Sequence, residues 1–267
     1  MTRLLPLVDP GIATVIDTID VFSTKRDKVL TFGIDDWDVP VEEEARRLGR
    51  ADVVVAIQEA EASLLRSLAP ERQVVTTGID FPIVRMPPAT APIVLCVASD
   101  NPMNTAGMAD FLRFAWPRVL AACPEARLRV VGAIGRSVPH GLAGVEVAGY
   151  VPDLAEEYAG ARVVINPAVA GTGLKIKTLE ALAYLRPLVA WPNGVDGLPD
   201  EVLGLVPPAT DWFEFADQVA ERLARTGPAF DDADETAIRD FLSPDAVYGA
   251  LEHALQDARA RIAGRPA

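Results

Sequence analysis

The sequence predicts an α/β fold, parallel sheets covered by helices, in two parts of unequal size. Short β-branched runs alternate with amphipathic helical segments almost throughout. The alternation breaks once, at a proline-rich stretch, and restarts more regularly after it. At 267 residues and 50% hydrophobic, the chain can bury one large core or two smaller ones.

In the first part, Ile12–Ile16 reads as a strand, Val21–Leu30 and Val41–Leu48 as helices, and Asp52–Ile57 as a second strand. Helix Glu59–Leu68 and strand Gln73–Thr77 follow. Residues 81–92 hold four prolines and no periodicity; proline fixes φ and lacks a donor, so this stretch is expected to be a linker. Beyond it, strands are expected at Ile93–Ala98, Ala126–Val131, Val145–Val147, Arg162–Asn166, Pro187–Trp191 and Gly204–Val206. The helices between them are Thr105–Ala122, Leu154–Gly160, Leu174–Leu185 and Trp212–Arg225. Near the end, Ser243 suits an N-cap, Pro244 the first helical position and Asp245 the positive end of the dipole. That helix should run to Ile262 and stop at Gly264. The expected organisation is therefore a partial α/β domain over 1–80, a linker over 81–92, a complete Rossmann-like domain over 93–228, and a tail over 229–267 whose helix could brace the two domains.

The formal charge of −13 argues against nonspecific nucleic-acid binding and against a polybasic membrane surface. No window approaches the roughly eighteen apolar residues of a membrane span. The short apolar start ends at Asp9-Pro10 without a cleavage site, a poor signal peptide. Two histidines and no CxxC pair make a structural zinc site, or any metal site, unexpected. Cys96 and Cys123 fit reduced thiols and a cytoplasmic protein, with peripheral association at the inner face of a membrane left open.

The most informative stretch is Asn166-Pro-Ala-Val-Ala-Gly-Thr-Gly-Leu-Lys-Ile-Lys-Thr-Leu-Glu-Ala-Leu182. A strand ends, a loop of small residues follows, and a helix begins. Gly171 and Gly173, on either side of Thr172, allow close backbone approach, and the first helical N–H groups are unpaired. Together they suit a pyrophosphate. Lys175 and Lys177 add positive charge, and Glu180, three residues after Lys177, could accept the hydroxyls of a ribose. The competing reading is a surface helix with a Lys177–Glu180 ion pair and glycines that only turn the chain.

The run Gly171–Ala183 followed by Arg186-Pro-Leu-Val resembles the signature of group 1, family 4-like retaining glycosyltransferases of GT-B fold. Val97–Asn104, Trp116-Pro-Arg-Val, Ala126–Gly132, Gly149–Leu154, Ala161–Pro167, Arg50–Gln58 and Gly78-Ile-Asp80 are similar to further segments of that family, in order. The resemblance implies a GT-B-like chain and a hexosyltransferase-like enzyme that takes a nucleoside diphosphate sugar as donor, with no cofactor. By it, Glu180 would contact the ribose. Lys175, Lys177 and the backbone of Gly171, Thr172, Gly173 and Leu174 would face pyrophosphate and sugar. Tyr150 and Val151 would lie beside the base, unless Tyr150 simply packs. Ser99, Asp100, Asn101 and Asn104 would sit at the floor of the cleft, although Asn101 and Asn104 also suit turns and caps. The catalytic candidates are Lys175, against the leaving diphosphate, and Asp20, against an acceptor hydroxyl. Asp20 could equally be a strand-end or capping aspartate.

The chain also departs from the pattern. Many relatives carry a glutamate where Thr172 stands, eight positions before Glu180, and basic residues in the loop that here holds Asn101 and Asn104. Ile19 replaces the histidine of an Asp-x-His-Asp segment. Several strands and a Gly-rich loop that relatives have before Ile12 are not in the sequence, which reads as a truncated N-terminal domain. The alternative functions are therefore a catalytically impaired nucleotide-sugar-binding module, or one half of a complex completed by another chain or a second copy. A sugar-nucleotide epimerase fits less well, with two histidines and neither in the signature. The acceptor, whether glycan, lipid or small molecule, is not legible, nor are the base and the sugar.

Overall fold

The computed structural model describes residues 2–30, 39–171 and 173–264. They form two compact units. One is drawn from within Met1–Asp80 and Ser243–Ala267, with Gly173 and Leu174; the other comprises Phe81–Gly171 and Lys175–Leu242.

The smaller unit holds a parallel sheet in the order β1-β2-β3, with β1 at Val15–Asp17, β2 at Val53–Ala56 and β3 at Gln73–Thr76. A parallel sheet needs cover on both faces, so its central strand should be apolar throughout, and all four residues of β2 are buried. Its alternate side chains show how the cover is shared. Val54 and Ala56 pack with Leu48, Ala62 and Leu65 from α2 (Val41–Leu48) and α3 (Glu59–Leu68). Val53 and Val55 pack with Ala254 and Ala258, which lie on the last helix of the chain, over Pro244–Ala263. That helix begins as its sequence demands, with the Ser243 hydroxyl accepting the Ala246 N–H at 3.2 Å and Pro244 at its first position. Helix α1 (Phe22–Leu30) is capped by a distant residue. The buried Glu44 carboxylate accepts the N–H groups of Phe22 and Ser23, both at 2.9 Å.

The larger unit holds five parallel strands: β4 (Ile93–Val97), β5 (Arg127–Val131), β6 (Val145–Gly149), β7 (Val163–Asn166) and β8 (Leu188–Ala190). Their order is β6-β5-β4-β7-β8, so the chain winds outward one way from β4 and then crosses to β7 and winds the other way. The gap between the ends of β4 and β7 is the switch point at which such sheets open a crevice. The Gly204–Val206 segment, expected as a sixth strand, pairs with none. It closes helix α8 (Asp200–Leu203) through short-range bonds, Leu205 N–H to Val202 O at 3.1 Å and Val206 N–H to Leu203 O at 3.0 Å. The apolar triplet is a helix exit, ended by Pro207-Pro208.

After β4 the chain is helical from α4 (Pro102–Asp110) through a wider turn at Phe111–Ala115 into α5 (Trp116–Ala122). Pro117 cannot donate to the carbonyl four residues back, and Trp116 N–H instead reaches Phe111 O. Phe111 then meets Phe215 edge-on at 5.5 Å in the main core, where Phe215 comes from α9 (Trp212–Ala224). Helix α6 (Ala155–Gly160) connects β6 to β7, and α7 (Ile176–Ala183) connects β7 to β8. Two α-helices had no counterpart in the sequence reading: the short α8, and α10, Asp232–Phe241, opened by a reciprocal Asp231/Asp234 capping box.

Candidate functional site

The chemistry-bearing residues of the larger unit gather at the C-terminal ends of β4 and β7, on either side of the switch point. Two close backbone approaches make this end. Gly132, after β5, has φ of 96°, and a Cβ there would lie 2.3 Å from Ala98 O. Gly107 brings α4 against the loop after β7 so closely that a Cβ would lie 2.0 Å from Pro167 O. No other residue type fits either place without movement.

The loop after β4 is built by its asparagines. Asn101 caps α4, its Oδ1 accepting the Asn104 N–H at 2.9 Å, with Pro102 at the first helical position. Asn104 is buried, and its amide donates to Ser99 O at 2.9 Å and to Ser99 Oγ at 3.2 Å. Its Oδ1 thus points away from the loop, where it accepts the Lys177 ammonium at 2.6 Å. Asp100 is exposed and accepts the Ser137 hydroxyl at 2.8 Å and that of Thr105 at 3.3 Å. Asn104 thus shapes the turn and also holds the lysine.

Helix α7 begins at Ile176, two residues later than expected, with Lys175 in the capping position. Lys177 is half-buried, and no carboxylate among the described residues pairs with it. Burial pushes its pKa down, the cost of a desolvated cation without a counter-charge. Glu180 does not pair with it. Its Oε2 instead accepts the hydroxyl of Tyr158 at 3.3 Å, so the surface ion pair that the spacing allowed is not made. Burial raises the Glu180 pKa, and the Tyr158 hydrogen bond opposes that rise. Tyr158, from α6, is fully buried and stacks on Tyr184 with ring centroids 4.5 Å apart. One face of α7 thus presents a cation held by an amide and a carboxylate held by a phenol.

The small-residue loop is fixed by polar contacts. The Gly171 carbonyl accepts the Lys175 ammonium at 3.2 Å and the Asn193 amide at 3.1 Å. The buried Asn166 side chain donates to the Thr178 hydroxyl at 3.1 Å, which donates in turn to Gly194 O at 2.5 Å. Asn166 Oδ1 is buried without a hydrogen-bond partner. Gly171 has φ of 150° and Gly173 φ of 72°, so both positions favour glycine. Thr172 lies outside the described residues.

Tyr150 is 88% exposed, so it does not pack into the core, and Val151 beside it is half-buried. Ser99 is exposed. In the other unit, Asp20 is buried, its Oδ1 accepting the Val21 N–H at 3.0 Å, while Ile19 is 71% exposed. Gly173 and Leu174 group with that unit. The sequence reading missed Tyr158, Asn193 and the Asn166–Thr178–Gly194 knit. Among the described residues, no group of three or more His, Cys, Asp or Glu is placed to hold a metal ion, and no helix is long and apolar enough to cross a membrane.

The doubly wound parallel sheet matches in fold the Rossmann-like domain of GT-B glycosyltransferases. The family model for group 1 glycosyl transferases matches residues 91–225, and the chain belongs to that family. Solved structures agree in fold. TarM of S. aureus, crystallised with UDP, superposes with a TM-score of 0.56 at 14% identity, over 83% of this chain and 46% of its own. HepE of Anabaena in complex with UDP gives 0.59 at 16%, over 98% and 76%. A UDP-forming α,α-trehalose-phosphate synthase of Burkholderia vietnamiensis gives 0.62 at 14%, over 97% and 69%. The chain spans about half the length of several structural neighbours, 46% of the TarM chain above and 53% of a chain of a GtfA/B complex. No curated protein sequence matches it significantly.

Proposed function

We propose that the protein transfers a sugar from a nucleoside diphosphate sugar to a hydroxyl acceptor with retention of anomeric configuration. The observation that supports this best is the Lys177–Asn104 pair at the switch point, with Glu180 one turn further along α7. The donor diphosphate lies against Lys177, Lys175 and the first N–H groups of α7. These stabilise the negative charge that grows on the leaving group as the glycosidic bond breaks, so no metal is needed. Glu180 accepts the ribose hydroxyls, Tyr150 and Val151 flank the base, and Ser99, Asp100, Asn101 and Asn104 line the sugar. The acceptor hydroxyl attacks from the face the diphosphate leaves, so the transfer needs no nucleophile from the protein. Asp20 is the candidate to orient that hydroxyl. The nucleotide in the TarM and HepE crystals makes UDP the first one to test. Two free thiols, one of them buried, suit a cytoplasmic setting.

A second reading is favoured by the other unit. Ile19 stands exposed where relatives have histidine, and Asp20 is buried and engaged with backbone. The chain is then a nucleotide-sugar-binding module, or a subunit whose acceptor site another chain completes. One structural neighbour is a GtfA/B complex. Calorimetry with UDP and a donor-hydrolysis assay over several nucleotide sugars separate the readings. Binding with turnover supports transfer, and binding without turnover supports the module. No binding of any nucleotide, or unchanged binding in Glu180→Ala, sinks both.

A further inference from the structure

The larger unit has a second cationic region, at the opposite end of its sheet from Lys177. A cavity of about 370 Å³ opens there, the size of a small-molecule site. Its walls come from the approach to β4 (Ala89, Thr90), the residue before β7 (Arg162), the start of β8 (Pro187, Leu188) and the end of α9 (Arg222, Arg225). All of these lie at the N-terminal ends of the strands. Five arginines line it, Arg85, Arg162, Arg186, Arg222 and Arg225, against one acid, Glu235, in a chain of net charge −13.

Two of the five are neutralised. Arg85 Nε donates to Glu235 at 2.8 Å, and Arg225 pairs with Glu221 at 2.6 Å. The other three meet only carbonyls. Arg162 donates to Ala89 O at 3.1 Å, to Leu223 O at 2.8 Å and to Thr90 O. Arg186 donates through Nη2 to Pro87 O at 3.1 Å and Ala159 O at 3.2 Å, and Arg222 to Gln218 O at 3.3 Å. Arg186 is only 4% exposed, and its Nε is buried without a partner. Burial lowers the pKa of both Arg186 and Arg222. Carbonyls orient a guanidinium but do not neutralise it, so Arg162, Arg186 and Arg222 face one cavity with no carboxylate hydrogen-bonded to them among the described residues, two of them desolvated by burial. The turn that delivers Arg186 is itself held in an uncommon conformation. Leu185 has φ of 50°, the only positive φ outside glycine among the described residues.

We propose that this cavity binds a small phosphate-bearing ligand with an apolar body. Phosphate matches the planar donor fork of arginine. It would fill only part of the volume, and the rest of the wall includes apolar side chains, among them Leu205, Leu188 and Phe230. The site is separate from the donor site and does not depend on how that site is read.

Titration calorimetry at physiological salt, with octyl phosphate, inorganic phosphate and the neutral octyl glucoside, tests the proposal. Octyl phosphate should bind one per chain, more tightly than inorganic phosphate, and octyl glucoside should not bind. Arg222→Gln should weaken octyl phosphate about tenfold or more, while Arg222→Lys, which keeps the charge, should lose only about threefold. Lys177→Ala should bind it as the unmodified protein does. Absence of octyl phosphate binding, equal binding of octyl glucoside, indifference to Arg222→Gln, or loss in Lys177→Ala would each overturn the site. The last would move the anion to the other end of the sheet. Circular dichroism of the variants shows that each is folded before its binding is read.

Discussion

The two ends of the five-stranded sheet carry positive charge in different ways. At the C-terminal ends, the half-buried cation Lys177 is a lysine on a flexible stem, held by a single amide oxygen. At the N-terminal ends, Arg162 and Arg186 are clamped by carbonyls from several segments before any ligand arrives. A lysine is a mobile point charge and an arginine a preset planar fork. The first arrangement suits charge that develops on a leaving group; the second suits an anion that is only held. The contrast is testable, because substitutions at one end should leave the other end alone.

The largest effect is expected at Gly107, where a side chain must displace α4 from Pro167. Gly107→Val should cost about 3 kcal/mol of stability in denaturant unfolding. It should also part Asn104 from Lys177 and abolish UDP binding, while octyl phosphate, whose cavity includes none of these residues, still binds the folded fraction. A cost under about 1 kcal/mol would mean that the helix relaxes freely and that the close approach does not build the site. Next comes Lys177→Ala, which should weaken UDP about thirtyfold, ~2 kcal/mol, by calorimetry. Arg222→Gln should leave UDP within about twofold, and an equal loss from both would erase the distinction between the two ends.

A pH titration sharpens the reading of Glu180. Burial raises its pKa above the ordinary 4.5, so in the unliganded protein the folded state holds this proton more tightly than the unfolded state does. Its contribution to stability therefore falls as pH rises from 4.5 through the raised value. Ribose hydroxyls need the ionised carboxylate as acceptor, so UDP affinity should rise across the same window. Glu180→Gln should remove both slopes, with opposite signs: a more stable free protein above the window and a UDP affinity about tenfold weaker there. A UDP affinity that stays flat with pH in the unmodified protein would take Glu180 out of the ribose site.

Much of this was written in the sequence because it is local. Helices α2 and α3 match their expected bounds, since charge and apolar spacing within a few residues decide them. The strand–loop–helix around Lys177 was legible for the same reason, down to its glycines. What escaped was decided elsewhere in the chain or by rarer local chemistry. Gly204-Leu-Val206 has the composition of a strand, and only the prolines after it and the bonds back to α8 make it a turn. Helix α10 buries little beyond Ile238 and opens on an Asp-x-x-Asp box, where the usual third residue is Glu or Gln. Asn166 and Thr178 look like ordinary polar residues until β7 and α7 bring them together.

Tyr158 is the sharpest case. It follows two charged residues, Glu156-Glu157, on a short helix, yet it is fully buried with its hydroxyl on Glu180. Two roles fit that place: filling the core beside Tyr184, or aiming the carboxylate. Tyr158→Phe separates them, because the ring and its stacking survive while the hydrogen bond does not. If aiming matters, UDP affinity should fall about fivefold, ~1 kcal/mol, at pH well above the Glu180 window. The window itself should move upward, since the lost hydrogen bond had favoured the ionised form. A purely structural tyrosine would shift the melting temperature and leave both the affinity and the pH midpoint where they were. That outcome would reduce Glu180 to a half-buried acid with no prepared direction, and the C-terminal end of the sheet would then rest on Lys177 and Asn104 alone.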